Sequence, residues 1–330
     1  MLPQAKYIAK CSQYLGSTSL HNKNCLIVGA TGGIGRSIAL KLSALGANVT
    51  VAGRSKEGGS AVLSALRNKG VGEGQKHSFE RVDLTSQKDT KRFLESTSKK
   101  LSDHGGLDYL FLTAGKPPNG KQTLTPDGIE AHFALQCLGR YSAAYNFAKV
   151  MNPNGCITAV CAPGQGSTAP IDDLEYLRPE NKKKYWMLTA GGRDSLFVDS
   201  VLMNLAQQYA STKLNVLHLF PGFVATNSAQ TAGFPFPVPL LARTFAPYIS
   251  TNADEYATTP VFEAVQSSEK GTGGFRALNQ YGSEVKIKDW VKDSSNRDAC
   301  VQYSNRRIEE ALQSVDGPDG SQVGELGIAA

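Results

Sequence analysis

Three glycines in the stretch VGATGGIG, Gly29, Gly33 and Gly35, stand between an apolar run and a helical pattern, with Thr31 and Ile34 among them. Glycine lets the backbone turn sharply and approach a pyrophosphate, whose charge then meets the N–H groups at the start of the following helix. The chemistry such a loop serves is dinucleotide binding. Two cations refine the reading. Arg36 directly follows the loop, and Arg54 ends the second apolar run, where a carboxylate would otherwise hold a ribose 2′-hydroxyl. Two guanidiniums suit a 2′-phosphate, which a carboxylate would repel. The expected cofactor is therefore NADP(H) rather than NAD(H).

The elements that position these residues alternate. Short apolar runs predict strands over 24–30, 48–54, 77–85, 107–115, 155–163 and 214–222, with a seventh over 273–279. Helical spacing fills the gaps at 34–46, 60–70, 87–101, 128–151 and 194–210. The pattern implies an α/β fold: a Rossmann-type, doubly wound parallel sheet of about seven strands, with helices on both faces and the ligand at the carboxyl ends of the strands. No composition break divides residues 22–312, so they read as one domain, after an N-terminal extension over 1–21 and before a flexible, glycine-rich tail over 313–330. Within that domain, FPFPVPLLARTFAPYI (234–249) carries four prolines among large apolar groups. It suits neither a strand nor a long helix and reads as packed loop or as an apolar substrate lid around 227–250.

Bulk composition excludes several classes. The formal charge is +6 and the basic residues are scattered, with no aromatic-interleaved stripe for nucleic acid. The six cysteines form no C-x-x-C pair, the five histidines are dispersed, and no metal site is expected. No apolar run reaches the ~18 residues of a membrane span, and the first residues lack the apolar core of a secretory signal. A cytoplasmic protein is expected.

At this point the sequence resembles a family. GATGGIG, RVDLT, LTAG and PGFVAT occur in the order and spacing of the short-chain dehydrogenase/reductases, from about residue 22 to about 310. The likeness is nearest to the retinol-dehydrogenase-like branch and its divergent fungal relatives. It implies that Asp83, with Leu84 beside it, contacts the adenine, and that Ala114 and Gly115 support the cofactor ribose. It further implies that Pro221, Gly222 and Thr226 cover the nicotinamide. Members of the family commonly dimerise through two long helices, here 128–151 and 194–210, so a homodimer is expected.

The resemblance fails where the family's proton chemistry resides. Reducing a carbonyl builds an alkoxide that must be protonated or strongly hydrogen-bonded. The family uses a tyrosine, a lysine four residues later, a serine and an asparagine. Counting back from Leu205 and Ala206 puts Gly191 and Ser195 in the tyrosine and lysine places, while FALQCLG and VCA put Gln136 and Ala162 in the other two. Two Y-x-x-x-K strings, Tyr145/Lys149 and Tyr209/Lys213, fall at the wrong ends of helices. The remaining candidates near the pocket are Tyr185 as a proton donor, Gln136 as a hydrogen-bond donor, and Asp194 as an acid or, more simply, the N-cap of the helix after it. Cys161 reads as a core cysteine and His132 as a packed or surface histidine.

Three functions fit. One is an NADPH oxidoreductase acting on an iminium, a quinone methide or an activated alkene, where orientation replaces the acid. Another is a non-redox cyclase, isomerase or dehydratase, by analogy with divergent family members in specialised metabolism. The third is an inactive NADP-binding partner subunit. Phe223 and the proline-rich segment favour a lipophilic small-molecule substrate.

Overall fold

The runs CLIV, DYLFL and VLHL have no polar side to turn toward water, so strands built from them must be covered on both faces. The computed structural model, which describes residues 3–71, 74–116, 118–225 and 251–315, shows how. Helix α1 (Pro3–Leu15) precedes β1 (Asn24–Val28), α2 (Gly33–Ala44), β2 (Asn48–Gly53), α3 (Lys56–Lys69), β3 (His77–Arg81), α4 (Gln87–Asp103) and β4 (Leu107–Leu112). Next come α5 (Ala131–Phe133), a π-helical turn (Ala134–Leu138), α6 (Gly139–Phe147), β5 (Met151–Val160), α7 (Pro179–Lys182), α8 (Met187–Gln208) and β6 (Asn215–Leu219). The short strands β7 (Val224–Ala225) and β8 (Thr251–Asn252) pair with each other. Helices α9 (Ala253–Tyr256) and α10 (Thr258–Lys270), strand β9 (Gly274–Leu278), α11 (Asp289–Lys292) and α12 (Ser294–Val315) complete the described chain.

Seven strands form one sheet in the order β3-β2-β1-β4-β5-β6-β9, every pair parallel. The order reverses between β1 and β4, which opens a crevice at the carboxyl ends of those two strands. One face carries α1, α2, α3 and α10 over a core of Ile27, Val51, Phe111 and Leu217. The other carries α4, α6, α8 and α12 over Leu26, Leu110, Ile157 and Val216.

One expectation changes. The N-terminal extension belongs to the domain: α1 packs on α10, buries Cys11 and Leu15, and sets Tyr7 and Tyr14 edge-on to Phe262. Leu15→Ala should lower the unfolding free energy in urea by about 2–4 kcal/mol; a loss below about 0.5 kcal/mol would make α1 a detachable appendage. Within the chain, one of the two long helices expected to meet a second copy is packed on by the C-terminal helix. Helix α12 lies against α8 and α4, Tyr141 on α6 bonds Asn305 on α12, and Asn204 on α8 bonds Asp298. Thr226, the 227–250 segment and residues 316–330 lie outside the described residues; within the expected tail, 313–315 are the last turn of α12.

Candidate active site

The glycine turn sits in the crevice between β1 and β4. Gly29 has φ +97°, and a Cβ there would lie 2.2 Å from the amide nitrogen of Ala114. The backbones of the two strand ends therefore touch, and Ala114 N donates to Val28 O at 3.0 Å. Thr113 secures the contact, its hydroxyl donating to Val28 O at 3.0 Å. Gly35 is equally tight, since a Cβ there would lie 2.4 Å from Thr113 Oγ1, whereas Gly32 has open space around it. Helix α2 starts on Gly32 with no side-chain cap. Its first N–H groups thus face the crevice unspent, which is what an incoming pyrophosphate requires. Thr31 flanks the turn and lies against Gly53 and Gly58, and Ile34 packs on the α2 core.

Arg54 stands exposed just past β2 and Arg36 half-exposed in the first turn of α2. Neither is ion-paired among the described residues. Asp83 follows β3, with one carboxylate oxygen taken by Thr85 N and Oγ1 at 3.0 and 2.7 Å. Leu84 is buried against Gly139. Gly115 abuts the Gln136 side chain, and Pro221 and Gly222 turn the chain after β6, with Gly222 at φ +70°. The residues of the expected cofactor set that are described thus gather along one rim of the sheet.

The proton-chemistry candidates are engaged with other protein groups. Gln136 lies in the π turn; its amide donates to Lys116 O at 2.9 Å and its oxygen accepts from Arg140. Asp194 is not an N-cap. Helix α8 begins seven residues earlier, after Trp186, and continues through Gly191 and Gly192. Asp194 is buried in its second turn, against His132 Nε2 at 2.6 Å and Arg193 Nε at 2.7 Å. Burial opposes its charge, but Arg193 and then His132 outweigh this and hold the carboxyl down to about 2. It is an anion at neutral pH and has no proton to give. Tyr185 donates to Glu130 Oε1 at 3.0 Å, and burial followed by the Glu130 charge pushes its hydroxyl well above the usual range. Glu130, Arg193, Asp194, His132 and Tyr185 form one charge network that ties α5 to α8. His132 is a member of that network, neither a surface residue nor a ligand.

On α8, Gly191 is half-exposed near Pro118, while Ser195 is buried and accepts from Gln165 N at 2.8 Å. Tyr145 is tied to Val201 O and Asn204 in the α6–α8 contact, and Lys213 lies in a left-handed turn at the far end of α8. Neither Y-x-x-x-K string reaches the crevice.

Sequence reasoning missed three residues and read a fourth, Cys161, as core. Cys161 follows β5 on the Ala159 side of the strand, toward α6 and α8, and is half-exposed. Next to it are Arg140, His218 and Asp199. The strand and helix patterns concealed the last two: His218 reads as one residue of an apolar strand and Asp199 as one residue of a helix.

A family model described as short chain dehydrogenase matches residues 23–166, from β1 to the loop after β5. The chain is 24% identical over 276 residues to the WW domain-containing oxidoreductase of Drosophila melanogaster, covering 82% of this chain and 65% of that one. It therefore spans less than two thirds of that relative. It is 27% identical over 271 residues to retinol dehydrogenase 14 of Mus musculus, covering 77% of each. Among solved structures, an uncharacterised protein from Mycobacterium paratuberculosis superposes with a TM-score of 0.63 at 16% identity, over 89% of this chain and 97% of that one. An angucycline C-6 ketoreductase with bound NADP superposes with a TM-score of 0.58 at 18% identity, over 80% and 96%. Over residues 23–166 the chain matches the short-chain dehydrogenase model, and the solved structures above share its fold.

Proposed function

We propose that the protein is an NADP(H)-dependent oxidoreductase that works on a lipophilic small molecule without the family's Tyr–Lys pair. The observation that carries this reading is the uncapped start of α2 with Arg36 and Arg54, neither ion-paired among the described residues, flanking it. The N–H groups after Gly32 would hold the pyrophosphate, and the two guanidiniums would hold the 2′-phosphate. Asp83 would take the adenine, and the backbone at Ala114 and Gly115 the ribose. NADPH, when bound, supplies a hydride. The chain's own part is to orient the acceptor and exclude water, since α8 offers Gly191 and Ser195 in place of a proton donor. That favours acceptors whose reduction needs little acid, such as an iminium, a quinone methide or an activated alkene. Phe223, 72% exposed after β6, supports an apolar ligand at the crevice mouth.

Titration of the full chain with NADPH and with NADH, followed by the fluorescence of Trp186 and Trp290, tests the reading. NADPH should bind at least tenfold more tightly than NADH. Arg36→Ala and Arg54→Ala should each weaken NADPH by roughly ten- to a hundredfold, the worth of one charge-assisted contact, and leave NADH nearly unchanged. Failure to bind either nucleotide would overturn the oxidoreductase reading. Equal affinities would overturn only the cofactor preference.

A further inference from the structure

Arg140 is 3% exposed and has no carboxylate partner among the described residues. Its Nη1 and Nη2 are spent on Gln136 O and Val160 O, at 2.8 and 3.1 Å, and its Nε–H is buried without an acceptor. A buried cation needs a counter-charge. The acidic group whose proton affinity it draws down is the Cys161 thiol.

His218 presents the complementary half. It pairs across the sheet with Ala159, two residues before Cys161, and is fully buried. Its Nδ1 meets Asp199 Oδ1 at 2.7 Å, while Asp199 Oδ2 accepts from Gly164 N at 2.8 Å, so the carboxylate cannot swing away. His218 Nε2 is buried without a hydrogen-bond partner. Ala159 and His218 are register partners and Cys161 N bonds Leu219 O, so Cys161 and His218 lie on one face of adjacent strands. Burial disfavours the imidazolium, but Asp199 outweighs it and raises His218 to about 9. Burial also disfavours the thiolate, but Arg140 and then His218 outweigh it, and the thiol falls below its ordinary value. The remaining five cysteines are buried. Cys161 alone among the six stands half-open, at the carboxyl end of β5, on the rim where the cofactor residues gather.

We infer that Cys161, His218 and Asp199 form a nucleophile–base relay, and that the Cys161 sulfur adds to the β-carbon of an α,β-unsaturated carbonyl compound. In that step the Cys161 thiolate, whose proton rests on His218 Nε2, attacks: the S–C bond forms as the C=C π bond breaks, and the proton passes from Nε2 to the α-carbon. All atoms and electrons are retained, so no oxidant or water is needed. Expulsion of the thiol by the reverse route would regenerate the alkene. Acyl transfer fits less well because it needs backbone donors for an oxyanion. Here Ala162 N is the single backbone donor left over 161–165: Cys161 N is bonded to Leu219 O, Gly164 N to Asp199 and Gln165 N to Ser195, and Pro163 has no N–H.

This inference does not rest on nucleotide binding, and its test uses none. The full chain is alkylated with iodoacetamide over pH 5.5–9, and each cysteine peptide is followed by mass spectrometry. An ordinary thiol slows about tenfold per pH unit below its titration midpoint. The Cys161 rate should fall less than about tenfold between pH 8.5 and pH 6.5, where an ordinary thiol, titrating near 8.5, falls about fiftyfold. His218→Gln and Asp199→Asn should restore the steep fall. An ordinary steep profile in the unaltered protein would overturn the relay, and that measurement stands even if either variant fails to fold. N-ethylmaleimide, itself a conjugate acceptor, should form its adduct at Cys161 at pH 6.5. No adduct there, with iodoacetamide reactivity intact, would overturn the assigned class of electrophile.

Discussion

Replacing Arg193 with methionine should cost about 3–5 kcal/mol of folding stability. The guanidinium is 1% exposed and lies between Asp194 Oδ1 at 2.7 Å and Glu130 Oε2 at 3.4 Å. It also donates to Leu174 O and stacks over Phe133, with 5.0 Å from its carbon to the ring centroid. Methionine keeps much of the volume but removes the cation between two buried carboxylates, leaving Asp194 with the His132 ring at 2.6 Å and Glu130 with its hydrogen-bond donors alone. Deleting one partner of a buried pair is far worse than never having built it, and the loss would consume a large share of a domain's usual 5–15 kcal/mol. Urea unfolding at pH 7 reads the effect. The triple replacement Arg193→Met, Asp194→Leu, Glu130→Met should recover part of the loss. A single-variant cost below about 1 kcal/mol would mean that water already reaches the network.

Gly29→Ala and Gly32→Ala should separate folding from nucleotide binding. At Gly29 a methyl group meets backbone 2.2 Å away and demands a φ of +97°, so β1 and β4 would have to part. The expected result is a loss of at least about 2 kcal/mol of stability from the backbone conformation and the clash together, with nucleotide binding lost. Gly32 is extended, at φ −177°, and meets nothing within 4 Å. Alanine there should leave the unfolding midpoint unchanged while weakening NADPH roughly ten- to a hundredfold, because its methyl would stand where the pyrophosphate must approach. Unchanged NADPH affinity in Gly32→Ala would move the phosphate site away from this turn.

The sheet was legible because central parallel strands are continuous apolar runs, which polar loops interrupt cleanly. Strand ends were less so. LTAG and VGA continue the apolar character of β4 and β1, yet their backbones have already turned toward each other. The start of α8 was hidden by Gly191 and Gly192, which read as breakers; the surrounding network holds them in the helix. That network also explains why Asp194 looked like a cap: an aspartate before an apolar stripe is an N-terminal signal unless tertiary partners claim it. The cofactor loop could be located from local spacing, and Gln136 from the family resemblance. Arg140, Cys161, Asp199 and His218 could not, since two strands and two helices must assemble before they meet. The π turn at Ala134–Leu138 adds to this, because a helix drawn at uniform pitch from 128 to 151 misplaces every side chain beyond it.

The docking of α1 sets a timetable for synthesis. Tyr7 on α1 bonds Glu263 on α10, a partner 256 residues further along the chain. At roughly 5–20 residues per second, a ribosome needs about 13–50 s to make that partner after α1 has emerged. Throughout that interval the Cys11–Leu15 stripe has nothing native to lie against. Any chaperone acting on the growing chain would therefore meet α1 long before α10 exists to receive it.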